Sequence, residues 1–478
     1  MSENVRSACE EARRLWIVEG LSIFQPPNQA RFLLVCKSLR KYCAGDANAA
    51  TVVQEHDIYS LIGDVCKSVY MRKLFLDEDQ LGVIRDNNDF KEIILVLCQL
   101  AANFINCGDT QRRYVWSSPE SIEVFKHMLA VSTYLKYPKA LVAVMACIYN
   151  SLCQNSLENI EQLFQSRDLV CQMLLAVVDC EVILLNGSTA TTSGSPEDHT
   201  QLLEWYYLLI QLFIKKQSLN RFYHVLTPTA GSIGILHEQM ILLQIVVDIV
   251  NETSCCDIII SSFRVENAEQ CDLALFILTL ANNITFLNIL EVNISNGIMS
   301  SDLIVPKLLL ESFPIHLDII SSLLVLLPVE VSNPIKINLL LKTRLLDVCL
   351  YVTNNLPKSH SRDAAAVDQS SYDILKLCLQ VISNLVYRCK VGQDMIRDAG
   401  GLPIVMSRCT TDFKNPLARE WALLCLRNCC EGSSENQAYI DNINIVQDVV
   451  QDEELQAKGI TVSIDNANGK IKFNKKDT

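Results

Sequence analysis

Glycine and proline are scarce in this chain, 16 and 13 among 478 residues, which excludes collagen-like and low-complexity architectures. Basic residues are in the minority, 41 Lys and Arg against 54 Asp and Glu, for a net charge of −13. No basic stripe with interleaved aromatics occurs, so the electrostatic footprint of a nucleic-acid binder is absent. Also missing are a P-loop, a dinucleotide-binding G-x-G-x-x-G, a G-x-S-x-G nucleophile elbow, an H-E-x-x-H metal helix and the kinase motifs. The histidines, His56, His127, His199, His224, His237, His316 and His360, stand isolated along the chain. These absences point away from an enzyme, and no metal or cofactor is expected.

Cysteine is abundant, but its pattern is not that of a disulfide scaffold. No two of the 20 cysteines have C-x-x-C spacing, and the cluster Cys425, Cys429 and Cys430 has no histidine nearby to complete a zinc site. The opening MSENVRSACEEARRLW is charged and has no apolar signal core. Reduced, buried thiols acting as small hydrophobes in the cytoplasm are therefore expected. The N-x-S/T sequons at Asn186, Asn251, Asn283 and Asn293 are then chance matches. One uncharged run of 18 residues, Leu273 to Leu290, approaches the roughly 20 needed to span a bilayer. It carries Asn282, Asn283 and Asn288, which are costly in hydrocarbon, so it reads as a buried helix.

What the chain does have is a repeat. Ser383-Asn384-Leu385 leads after nine residues to Gln393, then Ile396 and Gly400-Gly401-Leu402-Pro403; Arg427-Asn428-Cys429 leads after nine residues to Gln437, then Ile440. Asn384 and Asn428 are 44 residues apart. Such a period in helix-forming sequence means a stacked solenoid. Pro138 precedes Asn150 by 12 residues, as Pro416 precedes Asn428. Proline at a first helical position loses no hydrogen bond, and Asn415 is a natural N-cap for the second of these helices. Ser371, 13 residues before Asn384, keeps the phase.

The expected fold is all-α, one right-handed superhelix over residues 1–455 with a β-hairpin tail. N-terminal repeats fill 1–185, with a helix over Phe32 to Tyr42, a turn at Gly45 to Asn48, a helix face of Ile93, Leu97, Leu100, Ala101 and Phe104, and a helix start at Ser118-Pro119-Glu120. A small, polar segment over 186–200 reads as a flexible loop. Central repeats occupy 201–356, a second loop 357–370, and C-terminal repeats 371–455. After Gly459 the period becomes two, Ile460, Val462 and Ile464, then Ile471 and Phe473, which predicts a hairpin covering the open end of the stack.

The phrase SNLVYRCKVGQDMIRDAGGLPIV, Ser383 to Val405, resembles the armadillo repeat, whose units carry L-x-N-L, then N-Q-x-x-I and G-G-x-P. Within armadillo-like proteins the chain resembles the ataxin-10 family, on NPLAREWALLCLRN, SSENQAYI and the tail GITVSI with KIKFNKK, and more weakly on QRRYVW. The resemblance implies a non-catalytic scaffold in the cytoplasm, near the nucleus, and at the centrosome or midbody of dividing cells. It implies roles in cytokinesis, neuronal survival and neurite outgrowth, with G-protein β subunits and O-GlcNAc transferase as partners. A solenoid chaperone or nucleotide-exchange factor for a G protein is the alternative, and self-association stays open. In peptide-binding armadillo proteins a third-helix asparagine forms a ladder holding an extended peptide. Asn384 and Asn428 match that position, Asn103, Asn150 and Asn283 more weakly, and Arg427 stands beside it with Arg388, Arg397 and Arg419 as further positive charge. The tryptophan that nuclear-import receptors place one turn earlier is replaced here by Gln380, Leu424 and Ala146, and Trp421 reads as core. The same asparagines also suit hydrogen bonds to a neighbouring repeat's backbone.

Overall fold

A computed structural model describes residues 2–19, 28–44, 46–71, 87–153, 157–179, 196–227, 235–263, 271–285, 307–356, 369–410, 415–442, 460–465 and 470–475. The chain divides into two compact units, Met1–Asn283 with Ser300–Leu327, and Ile284–Met299 with Pro328–Thr478. The first unit contains α1 (Ser2–Glu19), α2 (Asn28–Cys43), α3 (Ala47–Glu55), α4 (Ile58–Met71), α5 (Asn88–Asn106), α6 (Asp109–Tyr114), α7 (Pro119–Tyr134) and α8 (Pro138–Cys153). It continues with α9 (Leu157–Gln165), α10 (Arg167–Asp179), α11 (Pro196–Lys215), α12 (Leu219–Leu226), α13 (His237–Asn251), α14 (Cys256–Ser262), α15 (Asp272–Thr285) and α16 (Lys307–Leu326). The second contains α17 (Val329–Lys342), α18 (Leu345–Asn355), α19 (Gln369–Val386), α20 (Lys390–Asp398), α21 (Gly401–Ser407), α22 (Pro416–Cys430) and α23 (Ser434–Asn442). Strands β1 (Ile460–Asp465) and β2 (Lys470–Lys475) pair antiparallel, with Val462 opposite Phe473.

Short polar residues set the helix starts. Asp46 accepts from the amides of Asn48 and Ala49, Asn87 from Phe90, Ser118 from Ser121 and Asn415 from Ala418, at 2.9 to 3.2 Å. Each satisfies an amide that the first turn leaves unpaired. Three helix starts differ from the sequence reading. Asp46 caps α3, so the turn expected over Gly45 to Asn48 is already helical from Ala47. Helix α11 begins at Pro196, inside the loop expected over 186–200, because proline fits the first helical position and Glu197 and Asp198 meet the positive end of the helix dipole. Likewise α19 begins at Gln369, within the second expected loop. The rest of both loops lies outside the described residues.

The helices pack with a period of three. In the first unit α2 packs on α5, α3 on α6 and α4 on α7; then α5 on α8, α7 on α10, α8 on α11, α10 on α13, α11 on α14 and α13 on α16. In the second, α17 packs on α20, α18 on α21, α19 on α22 and α20 on α23. Both units are therefore helical-repeat, solenoid-like stacks, and the 44-residue spacing of Asn384 and Asn428 is the spacing of α19 and α22. Apolar side chains between layers form the core. Phe213 lies 5.5 Å from Phe164 and 4.7 Å from Phe222, ring centre to ring centre, and Tyr59 stacks on Phe104 at 5.9 Å. Each such buried side chain contributes about 1.5–3 kcal/mol.

Free thiols take part in this core. Cys36, Cys66, Cys98 and Cys147 are buried. Burial pushes the Cys36 and Cys98 thiols up to about 12, which keeps them protonated and unreactive. Among the described residues no helix is long and apolar enough to cross a membrane. The uncharged run from Leu273 falls on α15, whose Phe276, Ile277 and Leu280 are fully buried; its last residues, 286–290, lie outside the described ones.

Gly392 shows how closely the layers meet. A Cβ there would lie 2.8 Å from the backbone oxygen of Leu385, a contact that no side-chain rotation relieves. Gly392→Ala is expected to destabilise the second unit by about 1–3 kcal/mol, as overpacking does. Chemical denaturation followed by circular dichroism checks this; an unchanged midpoint would mean that α19 and α20 are less tightly apposed.

Candidate functional site

Four of the asparagines singled out by the repeat, Asn103, Asn150, Asn384 and Asn428, lie on the third helix of a repeat. Asn103 is on α5 and Asn150 on the adjacent α8; Asn384 is on α19 and Asn428 on the adjacent α22. The structure thus brings Asn103 and Asn150 together in one row, and Asn384, Arg427 and Asn428 in another. Asn283 falls on α15, a different helix of its repeat.

Their hydrogen bonds separate them by role. Asn428 is 6% exposed, and its amide donates to the backbone oxygen of Ser383 at 3.3 Å and to Ser383 Oγ at 2.9 Å. Both donors are engaged in fastening α22 to α19. Asn103 donates to the backbone oxygen of Arg40 at 2.9 Å, fastening α5 to α2, and Asn283 donates to the Tyr223 hydroxyl at 2.9 Å. Asn150 and Asn384 are half-buried. Arg427 is exposed and, among the described residues, makes no ion pair. The other expected cations are engaged locally. Arg388 meets Glu431 at 3.4 Å, Arg397 meets Asp394 at 2.8 Å and Asp398 at 3.1 Å, and Arg419 meets Glu420 at 3.5 Å. Lys390 bridges Asp394 and Glu435, and its hydrogen bond holds the Glu435 carboxyl down at about 2.

Reading from the repeat phrase missed a set of polar side chains that bind helix ends. Lys336 on α17 is 2% exposed; its Nζ donates to the backbone oxygen of Tyr387 at 2.9 Å and sits 5.6 Å from the Tyr387 ring centre. Asn333, one turn earlier, donates to the oxygen of Arg388 at 3.1 Å. Gln393 on α20 does the same for α22, donating to the oxygens of Asn428 at 2.9 Å and Glu431 at 2.8 Å. Asn436 bridges two elements, donating to the oxygens of Gln393 at 2.9 Å and Cys429 at 2.8 Å. Gln393 and Asn436 belong to the repeat phrase, which gave their place but not their partners. Lys336 had no sequence signal, since a lysine on a helix ordinarily reads as solvated. Among the described residues no cluster of His, Cys, Asp or Glu could hold a metal ion.

A model of the spinocerebellar ataxia type 10 protein domain matches residues 374–474. An ataxin-10 homolog of Dictyostelium discoideum is 37% identical over 95 residues, 20% of this chain and 15% of that protein. The Saccharomyces cerevisiae ataxin-10 homolog is 32% identical over 99 residues, 21% and 17% of the two chains. Homo sapiens ataxin-10 is 32% identical over 62 residues, 13% of each. The matched segment thus spans less than a fifth of the length of each of these relatives. A solved engineered protein is 12% identical and covers 94% of this chain and 96% of its own at a TM-score of 0.29, a likeness that carries no weight for the fold.

Asn428→Ala is expected to destabilise the second unit by about 1–3 kcal/mol, because the buried Ser383 oxygens lose their donor. Ser383→Ala in the same background should add little. Denaturation of the two single variants and the double variant measures the coupling; fully additive losses would contradict a direct α19–α22 link.

Proposed function

We propose that this chain, a member of the ataxin-10 family and a non-enzymatic helical-repeat protein, is a scaffold that holds protein partners along the third helices of an armadillo-like, right-handed stack. The observation that carries the reading is Arg427, exposed and without an ion pair among the described residues, next to Asn428 on a helix whose neighbour presents Asn384. Asn428, Asn103 and Asn283 hold helices in place, so their part in binding is to position the surface. The partners proposed are G-protein β subunits and O-GlcNAc transferase, with roles in cytokinesis, neuronal survival and neurite outgrowth, from a cytoplasmic and perinuclear location that extends to the centrosome or midbody. The β-hairpin tail is proposed to cover the end of the last repeat. The partners, roles and location come from the family resemblance and concern the whole protein, whereas the place of the tail comes from its alternating apolar pattern after Gly459.

Arg427→Glu separates binding from folding. Capture of purified G-protein β subunit and O-GlcNAc transferase by the full chain is expected to fall at least tenfold, with the melting temperature unchanged. Undiminished capture of both would contradict a role for this row.

A further inference from the structure

A third helix in this chain buries one flank under the third helix that follows it. On α8 that flank carries Met145, Ile148 and Leu152, and on α19 it carries Leu379, Ile382 and Val386, all 0% exposed. The helices that cover them are α11 and α22. Counted from the asparagine of the repeat, Asn428 in place of Asn150 and Asn384, the same three positions on α22 are Leu423, Leu426 and Cys430. There Leu423 is 40% exposed, and Leu426 and Cys430 are half-buried. Among the described residues no helix follows α23, so the flank of α22 lies open.

The same unit holds a second open apolar face. The strands pair Val462 with Phe473 and Ile464 with Ile471, and alternation along a strand puts these residues and Ile460 on one face of the ribbon. The opposite face carries Thr461, Ser463, Lys472 and Asn474. A lone two-stranded ribbon is marginal in water and needs a surface to pack on, yet among the described residues each strand packs mainly on the other. The dimensions of the two faces agree. Six residues per strand make a ribbon about 20 Å long, and the 15 residues of α22 make a flank of about 22 Å. The matched family domain, residues 374–474, begins in α19 and ends in β2, so it holds the helix pair and the ribbon together as one unit.

We infer that the open flank of α22 is a docking surface for the β-hairpin of the same chain, which takes the place of the third helix that a further repeat would supply. The apolar face of the ribbon covers Leu423, Leu426 and Cys430, as α22 covers Leu379, Ile382 and Val386 one repeat earlier. Its polar face then turns to water, which is what the terminal element of a solenoid requires. The chain between Asn442 and Ile460 reaches much further than the roughly 10 Å between packed helices. A second copy seated on the flank would leave the face of the ribbon uncovered, whereas the hairpin closes both at once. The inference rests on the covering role proposed for the tail, names its surface, and uses no residue of the partner-binding row.

The test places the photo-cross-linker p-benzoylphenylalanine at Phe473 of the full chain and maps its products by mass spectrometry. The expected result is cross-linking within one chain to residues 419–430 of α22, unchanged by dilution. In parallel, alkylation of Cys430 by N-ethylmaleimide is expected to run about tenfold faster in Phe473→Asp, the factor set by losing one buried aromatic from the docked state. Cys36 in the first unit, buried and unchanged in rate, reports that the variant is folded. Cross-links between chains that disappear on dilution assign the flank to a second copy and overturn the inference. Cross-links to a different helix overturn it while leaving the covering role of the tail intact. Absence of cross-links to any helix, with Cys430 alkylated equally fast in both proteins, overturns both.

Discussion

The structure depends on what happens to the carbonyl groups at the ends of its helices. A stack of short helices multiplies these ends, and the last turn of each leaves backbone oxygens without an intrahelical donor. Water satisfies them at a free surface, but where layers pack a side chain must. In this chain the donors come from a neighbouring helix again and again: Asn159 to Ser151, Arg167 to Val225, Gln217 to Ser262, Arg408 to Asn354 and Leu356, Lys336 to Tyr387, and Gln393 to Asn428 and Glu431. Each bond joins two elements, and all but the exposed one from Arg167 remove a buried or half-buried unpaired group. A buried lysine beside a helix C-terminus is also electrostatically sound, since the carbonyl end of the helix carries partial negative charge.

This constraint explains why some residues of the repeat vary and others do not within one chain. Asn436 stands at the third position of its helix and reaches the end of the preceding helix through Cys429. One repeat earlier that position is Gly392, and the backbone itself closes against Leu385. The two solutions fill the same gap, one by an amide and one by contact. Gly63 does a related job in the first unit, where a Cβ would lie 2.8 Å from Val124 of α7.

Much of the fold was legible because local rules and packing agree. Pro138, Pro416 and Ser118-Pro119 mark helix starts by steric and capping rules that tertiary context did not override, and the 44-residue spacing is a real interval between stacked helices. Asp46 and Pro196 show the opposite error. Their segments read as turn and loop from composition, yet both are helix starts, since the residues that favour turns are also those that cap. The candidate site was legible in place but not in role. Spacing put Asn428 on the third helix, but only three-dimensional packing revealed that Ser383 takes both its donors, and Lys336 stands in no local pattern. Contacts across 51 residues, as from Lys336 to Tyr387, leave no periodic trace in a sequence.

The central claim is that cross-helix donors to helix ends hold the stack together, and it is tested most directly by amide hydrogen exchange on Gln393→Met. The substitution keeps length and apolar volume and removes the two bonds to α22. The account predicts faster exchange at the end of α22 and the following turn, around residues 428–433, with protection of α18 retained. Unchanged protection at 428–433 in a folded variant would contradict it, and would assign the cohesion of the stack to apolar packing alone.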